Sequence, residues 1–307
     1  MYVQLCTYTI VRQHKKTTLI KLIFTIVSIL VTQKTMGQIA PIKTIGNVKT
    51  IVFKEYNIKN DLDGKVVYGQ LTGWTSIYRY DSLQRVIEVQ KLEIDESAYS
   101  TTIYDYDSIG NMVEEKTKNK YGETDSKKLV YNKNSELIKE IRFDNGILIE
   151  SYLNKYDSNK IVKKENYNSN NELIKYFKYS YDSNGNKVKT IWSSNGKEEF
   201  EQYEYDKYNR KISYVLFSNS KYTYKYNSEG FIQLESFCKN DSVSWTKEYQ
   251  YDSNRKIKKI IHSDYTNNSS RIDEFQYEYD LKGNLIEEKY YENGKPKYAK
   301  KYIIEYK

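Results

Sequence analysis

The sequence predicts an all-β fold, an antiparallel meander of about 18–20 short strands that coils or curves as an extended sheet. Three observations predict it. Tyrosine recurs with a period near 25 residues, a polar turn follows each recurrence, and the composition favours strands over helices.

Composition comes first. The 307 residues include 34 tyrosines and 9 phenylalanines but only 2 prolines, and hydrophobic residues reach 38%. That is too aromatic for a disordered chain, so tyrosine supplies the apolar burial that leucine supplies elsewhere. Aligning the second tyrosine of each Tyr-x-Tyr-Asp-like segment gives Tyr80, Tyr106, Tyr131, Tyr156, Tyr181, Tyr205, Tyr226, Tyr251 and Tyr279. In seven of these nine copies another tyrosine stands two residues earlier, as Tyr104 precedes Tyr106. In a strand this spacing puts both rings on one face and builds tyrosine ladders. Behind each tyrosine comes a turn such as Ser183-Asn184-Gly185-Asn186, then an apolar residue such as Val188 or Ile257 that opens a second strand. Each repeat therefore supplies two strands joined by short hairpins. A sheet of that many strands cannot stay flat and open.

The best copies, Tyr104-Asp105-Tyr106-Asp107-Ser108-Ile109-Gly110-Asn111 and Tyr179-Ser180-Tyr181-Asp182-Ser183-Asn184-Gly185-Asn186, closely resemble the YD repeat of the Rhs family. The resemblance runs from about residue 50 to the end and implies a β-sheet wall and secretion. Family members wind such repeats into a shell around an enclosed toxin or occur as shorter cell-surface proteins. This chain departs from the shell-forming type: no toxin region or self-cleavage motif follows Tyr279, and about nine repeats are few for a large cage.

At the N-terminus, Lys15 and Lys16 precede the apolar run 22–31, and Thr35-Met36-Gly37 places small residues ahead of Gln38. This is signal-peptide grammar, with an unusually long n-region. The run is too short for a spanning helix, which needs about 20 residues. The expected organisation is a leader over 1–37 and a single YD-repeat β domain over 38–307, clearest over 76–290, located outside the cell or in its envelope, with membrane contact only through the leader before cleavage. The net charge of +8 falls when the leader's five basic residues are set aside, leaving 44 Lys/Arg against 41 Asp/Glu, interleaved throughout. A clustered basic footprint for nucleic acid is missing.

Few groups are suited to catalysis. One cysteine, Cys238, and one histidine, His262, fall in the body. They are about one repeat apart, but register sends them to opposite faces, against a nucleophile and base pair. The aspartates after the tyrosines, Asp182 among them, loosely match a calcium loop, yet glycine comes fourth rather than sixth, and an Asp opening a β-turn explains every copy. Adjacent acids Glu114-Glu115, Glu198-Glu199 and Glu287-Glu288 point to opposite strand faces, so none of these pairs forms a glycosidase dyad. The expectation is a non-enzymatic binding or scaffold module with no cofactor and no metal. Its candidate partners are a cell-surface glycan or an envelope protein, and its alternative role is a short Rhs-like shell segment or accessory of a toxin system. Trp74, Trp192 and Trp245 break the repeat and are the candidate binding residues; a carboxylate enzyme site converging from separate repeats stays a third possibility.

Overall fold

The structure is a computed structural model that describes residues 42–307 except Asn195, Phe217 and Ser218; the leader expectation for 1–37 lies outside the described residues. Twenty-one strands make one antiparallel sheet, and the described residues contain no helix. The strands are β1 Val48–Asn60, β2 Val66–Leu71, β3 Thr75–Tyr80, β4 Val86–Leu92, β5 Ala98–Tyr106, β6 Met112–Asn119 and β7 Thr124–Tyr131. They continue as β8 Leu137–Asp144, β9 Ile147–Asp157, β10 Lys160–Asn168, β11 Leu173–Tyr181, β12 Lys187–Ser194, β13 Lys197–Tyr205 and β14 Lys211–Leu216. The last seven are β15 Ser220–Tyr226, β16 Ile232–Lys239, β17 Ser242–Tyr251, β18 Ile257–Asp264, β19 Ser269–Tyr279, β20 Leu285–Glu292 and β21 Lys295–Tyr306.

From β3 to β21 every strand pairs with the next. The sheet then closes, because β1 pairs along β21 from Val48–Tyr306 to Asn57–Tyr298 and on its other edge with β3 and β2. β2 and β3 run in the same direction as two pieces of one line, interrupted at Thr72-Gly73-Trp74. The result is a barrel of twenty strands, with β2 extending it on one side. With strands about 4.8 Å apart and tilted by about 40°, such a ring is roughly 35–40 Å across. Substantial packing occurs only between neighbouring strands, so the wall encloses a hollow. About nine repeats, few for a large cage, suffice to close a ring.

The repeat works through its turn and its tyrosine. Asp81 Oδ1 accepts from the N–H groups of Leu83 and Arg85 at 2.9 Å, and Asp206 and Asp252 do the same in their turns. This is the turn role expected of these aspartates, and it satisfies backbone donors at the hairpin tip. One residue past each turn the register slips: Tyr279 faces Leu285 while Glu278 faces Glu287, leaving Ile286 as the extra residue of a bulge. The same slip recurs at Tyr80, Tyr106, Tyr181 and Tyr251.

The bulge ends pairing with the following strand early, so the carbonyl just before it lacks a ladder donor. The tyrosine of the next repeat supplies one. Tyr106 Oη donates to the Val86 carbonyl at 2.7 Å, Tyr181 to Ile161 at 2.8 Å, Tyr226 to Lys211 at 2.7 Å and Tyr251 to Ile232 at 2.8 Å. Each repeat is thereby clipped to its predecessor. The clip lapses at the ends of the series, where the buried hydroxyls of Tyr80 and Tyr279 have no partner; Tyr277 bonds the Ile257 carbonyl instead.

The closing seam carries the densest core. Val48, Ile51, Tyr80, Val86, Val89, Leu285 and Tyr302 are buried together with Ile42. Asn284, 1% exposed, bonds the Ile45 backbone through both amide atoms, and Gln84 accepts from Val48 N–H at 2.7 Å while donating to its carbonyl at 3.2 Å. Gln84 sits at φ 62°, a turn position that glycine fills in other repeats, as Gly110 does at φ 95°. The left-handed strain at Gln84 is offset by the side chain that fastens the first strand.

Two substitutions separate the clip from mere burial. Tyr181→Phe is expected to lower stability by about 1 kcal/mol, the net worth of one such hydrogen bond, read as a drop in the urea midpoint. Tyr80→Phe, which removes an unpartnered hydroxyl, is expected to leave the midpoint unchanged or raise it.

Candidate functional site

The ladder tyrosines share one face, and it is the concave one: closure converges side chains on the inside of a barrel, and ladder positions are the more buried of each alternating pair. On β13, Glu199, Glu201, Tyr203 and Tyr205 are half-buried while Phe200 between them is 42% exposed. A continuous row of rings crosses β13 to β17 on this inner face. Tyr203 and Tyr214 stack with centroids 5.2 Å apart, Tyr214 and Tyr222 at 5.6 Å, Tyr222 and Phe237 tilt at 4.9 Å, and Phe237 and Trp245 stack at 5.8 Å. A second group on β19–β21 joins Phe275, Tyr290 and Tyr298.

Carboxylates are set into the row. Glu201 accepts from the hydroxyls of Tyr203 and Tyr214, and Glu235 accepts from Tyr249 at 2.8 Å. Asp273, 6% exposed, takes Tyr290 Oη at 2.8 Å, His262 Nε2 at 2.7 Å and Arg271 at 3.0 Å. Burial alone would raise the Asp273 carboxyl, yet the hydrogen bonds from Tyr290 and His262 and the charge of Arg271 hold it below the usual range. Burial first, then its hydrogen bond to Glu201, pushes Tyr203 up to about 12. The acids were legible in part: Glu201 stands two residues before Tyr203, and Asp273 four before Tyr277, spacings that share a strand face.

The three tryptophans do not form one site. Trp245 ends the inner row, with Lys247 Nζ 4.9 Å from its ring. Trp192 lies on the same face between Phe177 of β11 and Glu199 of β13. Trp74 is elsewhere, in the break between β2 and β3, 42% exposed and 4.2 Å from the ring of Tyr99. Along the inner row the ring faces are largely taken by neighbouring rings, which leaves ring edges, hydroxyls and carboxylates for a ligand. Trp74 is the tryptophan with an exposed surface. Cys238 and His262 lie on β16 and β18 with β17 between; Cys238 faces Val243 and His262 faces Lys247, on opposite sides of the wall. Among the described residues, no group of three His, Cys, Asp or Glu side chains is placed to hold a metal ion.

Charge occurs on both faces of the wall. The inner face carries Lys127–Glu115 at 2.7 Å and Lys300–Glu288 at 3.1 Å; the outer carries Lys163–Glu165 at 2.6 Å and Lys259–Glu274 at 3.4 Å. A lipid-facing wall would have to bury such groups, at about 2–4 kcal/mol for each Lys or Arg near the bilayer centre. This wall has water-compatible surfaces on both sides.

No family model and no curated protein matches the chain. Among solved structures, a porin-like protein from Bacteroides uniformis aligns over 84% of this chain and 98% of its own, at 11% identity and a TM-score of 0.36. The TcdB2-TccC3 structure aligns over 81% of this chain at 9% identity and a TM-score of 0.40, and this chain spans only 19% of that one. A porin-like protein from Bacteroides vulgatus aligns at 13% identity and a TM-score of 0.29. At these scores the superpositions are loose, and the barrel rests on its own strand pairing.

The tyrosine wall makes stability sensitive to alkali. A phenol whose folded-state pKa is raised stabilises the fold fully below its ordinary value near 10 and loses that contribution as pH rises through the folded value. Tyr203, Tyr106 and Tyr68 all lie near 12. Phenolate absorbance is expected to lag behind that of free tyrosine above pH 10 and then to rise together with loss of β-sheet circular dichroism between about pH 10 and 12. Independent titration of the tyrosines near pH 10 with the sheet intact would contradict the shared wall.

Proposed function

We propose that this protein is a non-enzymatic YD-repeat shell, an exported module of the cell envelope that holds a partner against the inner wall of a water-filled barrel. The observation that carries the reading is closure into a hollow ring with ion pairs on both faces. A wall wetted on both sides is a container or scaffold rather than a lipid-embedded pore. The resemblance of the repeats to those of the Rhs family supports the same reading, including the role of a shell segment or toxin-system accessory. Stacked rings, phenol hydroxyls and buried carboxylates form a surface that can bind a polar chain through many weak contacts.

A glycan is the proposed small partner, and a specific position favours it: Trp74, whose exposed ring lies over Tyr99, offers a face to a sugar. Trp192 and Trp245 would act with the inner row, through edges and neighbouring acids.

Solution scattering and a glycan panel test the two levels separately. The pair-distance distribution is expected to show a hollow particle with a wall-to-wall spacing of roughly 35–40 Å; a compact filled particle would sink the shell. Binding to one glycan class, weakened at least tenfold by Trp74→Ala, would support the carbohydrate reading. A panel and cell-wall pull-down that both come back empty would remove it and leave the shell standing.

A further inference from the structure

Between β10 and β14 the register of the strands sorts charge across the wall. Lys164, Lys175, Lys187 and Lys211 are well separated along the chain, yet all reach the inner face. Lys164 faces Phe177, which faces Trp192, and Lys175 shares the face of Phe177 two residues on. Lys187 and Lys211 face the ladder tyrosines Tyr181 and Tyr205. Other repeats hold an aliphatic residue at that position, Val86 facing Tyr80 and Leu285 facing Tyr279. The one acid within β10, β11 and β12, Glu165, turns outward to Lys155 and Lys163.

These cations have no counterion in the described chain. All four are half-buried, and none forms an ion pair among the described residues. Each rests on rings instead. Lys164 Nζ lies 4.3 Å from the ring centre of Tyr152 and Lys175 Nζ 4.8 Å from that of Phe177. Lys187 stands 4.9 Å from Tyr203, and Lys211 4.9 Å from Tyr224. A ring face attracts an ammonium ion but leaves its charge uncompensated. On the arcs to either side, inner cations do meet carboxylates: Lys127 with Glu115 at 2.7 Å, Arg142 with Glu140 at 2.7 Å, Arg271 with Asp273 at 3.0 Å and Lys300 with Glu288 at 3.1 Å. The inner acids of β13 are engaged otherwise, Glu201 by the phenols of Tyr203 and Tyr214 and Glu199 opposite Trp192.

We propose that this inner arc binds an acidic polysaccharide, whose carboxylate or sulfate groups meet the four lysines while its sugar rings lie along Phe177 and Trp192. The inference rests on the glycan reading given above and narrows it to one charge class. Unpaired ammonium ions on a concave wall call for an anion. The strands of the arc contain lysine and no arginine, the planar fork best suited to phosphate and nucleic acid. Strands β10 to β13 are paired along both edges, so an acidic peptide finds no backbone to extend the sheet with. Lys187 and Lys211 stand two strands apart, about 9–10 Å between backbones, a spacing comparable to that of acid groups on alternate sugars of a chain. Aromatic rings interleaved with the cations suit the apolar faces of such sugars.

Titration calorimetry with oligogalacturonate, a sulfated dextran oligomer and a neutral dextran oligomer of matched length tests this. At least one acidic oligomer is expected to bind tenfold or more tightly than the neutral one, with an affinity that falls as salt is raised; which acid binds identifies the anionic group. The double variant Lys164→Met with Lys187→Met is expected to keep the circular dichroism and melting temperature and to lower that affinity at least tenfold. Lys178→Met, on the outer face beside Glu198, is expected to leave it unchanged. The comparison of acidic with neutral oligomers on the wild-type protein stands whether or not a variant folds. Acidic and neutral oligomers bound alike, binding indifferent to the inner lysines, or tighter binding of poly-glutamate or single-stranded DNA overturns the proposal. Neutral glycan binding that is lost in Trp74→Ala, with both acidic oligomers unbound, overturns it while the glycan reading stands; a protein that binds no glycan overturns both.

Discussion

The wall depends on one repeated contact, the hydroxyl of a tyrosine donating to a carbonyl that the previous hairpin's bulge has left without a ladder partner. A bulge by itself is a defect that exposes a backbone acceptor and bends the strand. Placing a phenol of the next repeat on that acceptor turns the bend into a joint of fixed geometry. Because the joint recurs once per repeat, the sheet curves by similar steps, and similar steps around a ring are what closure needs. A leucine at these positions would have no group to fasten with: the ring packs as any aromatic would, and the hydroxyl makes the bond to the carbonyl.

The same device explains the few conventional core residues. Interior residues of ordinary domains bury against a second layer, but here substantial packing joins only strands that are neighbours in the ring. Burial is therefore lateral, ring against ring and carboxylate against phenol along the sheet, and aliphatic side chains gather into a cluster at the seam, where the N-terminal segment adds Ile42 and Val48 to Tyr80, Leu285 and Tyr302. The seam joins strands that lack the tyrosine clip, and it substitutes aliphatic packing and the amide side chains of Gln84 and Asn284.

Much of this was readable from residues. The tyrosine spacing gave the repeat, the aspartates gave the turns, and two strands per repeat gave the antiparallel order. Face assignment was not readable, because the residue after each turn is a bulge: Leu285 and Ile286 are consecutive apolar residues since only one of them faces Tyr279, and simple alternation fails there. Closure was also hidden. It rests on β1, whose segment from Val48 to Asn60 lies ahead of the clear repeats and carries no Tyr-x-Tyr-Asp signature. For the candidate site, the three tryptophans that break the repeat part company in the structure, Trp245 stacking on Phe237 at the end of the inner row, Trp192 lying on the same face and Trp74 standing in the break between β2 and β3, and their spacing does not show that division. Glu201 and Asp273 fall outside the three pairs of adjacent acids, and their signal is the tyrosine two or four residues along rather than a neighbouring acid.

The meeting of first and last strands has an arithmetical consequence. Since β1 is antiparallel to both β3 and β21, the ring must contain an even number of strands. A whole repeat contributes two strands, so gain or loss of a repeat preserves parity and changes only the girth. Loss of a single strand would bring the first and last strands together in parallel, a pairing slightly less stable per residue than the antiparallel join of β1 and β21. The unit whose gain or loss keeps the ring wholly antiparallel is therefore the full repeat, and its copy number sets the bore of the vessel in discrete sizes.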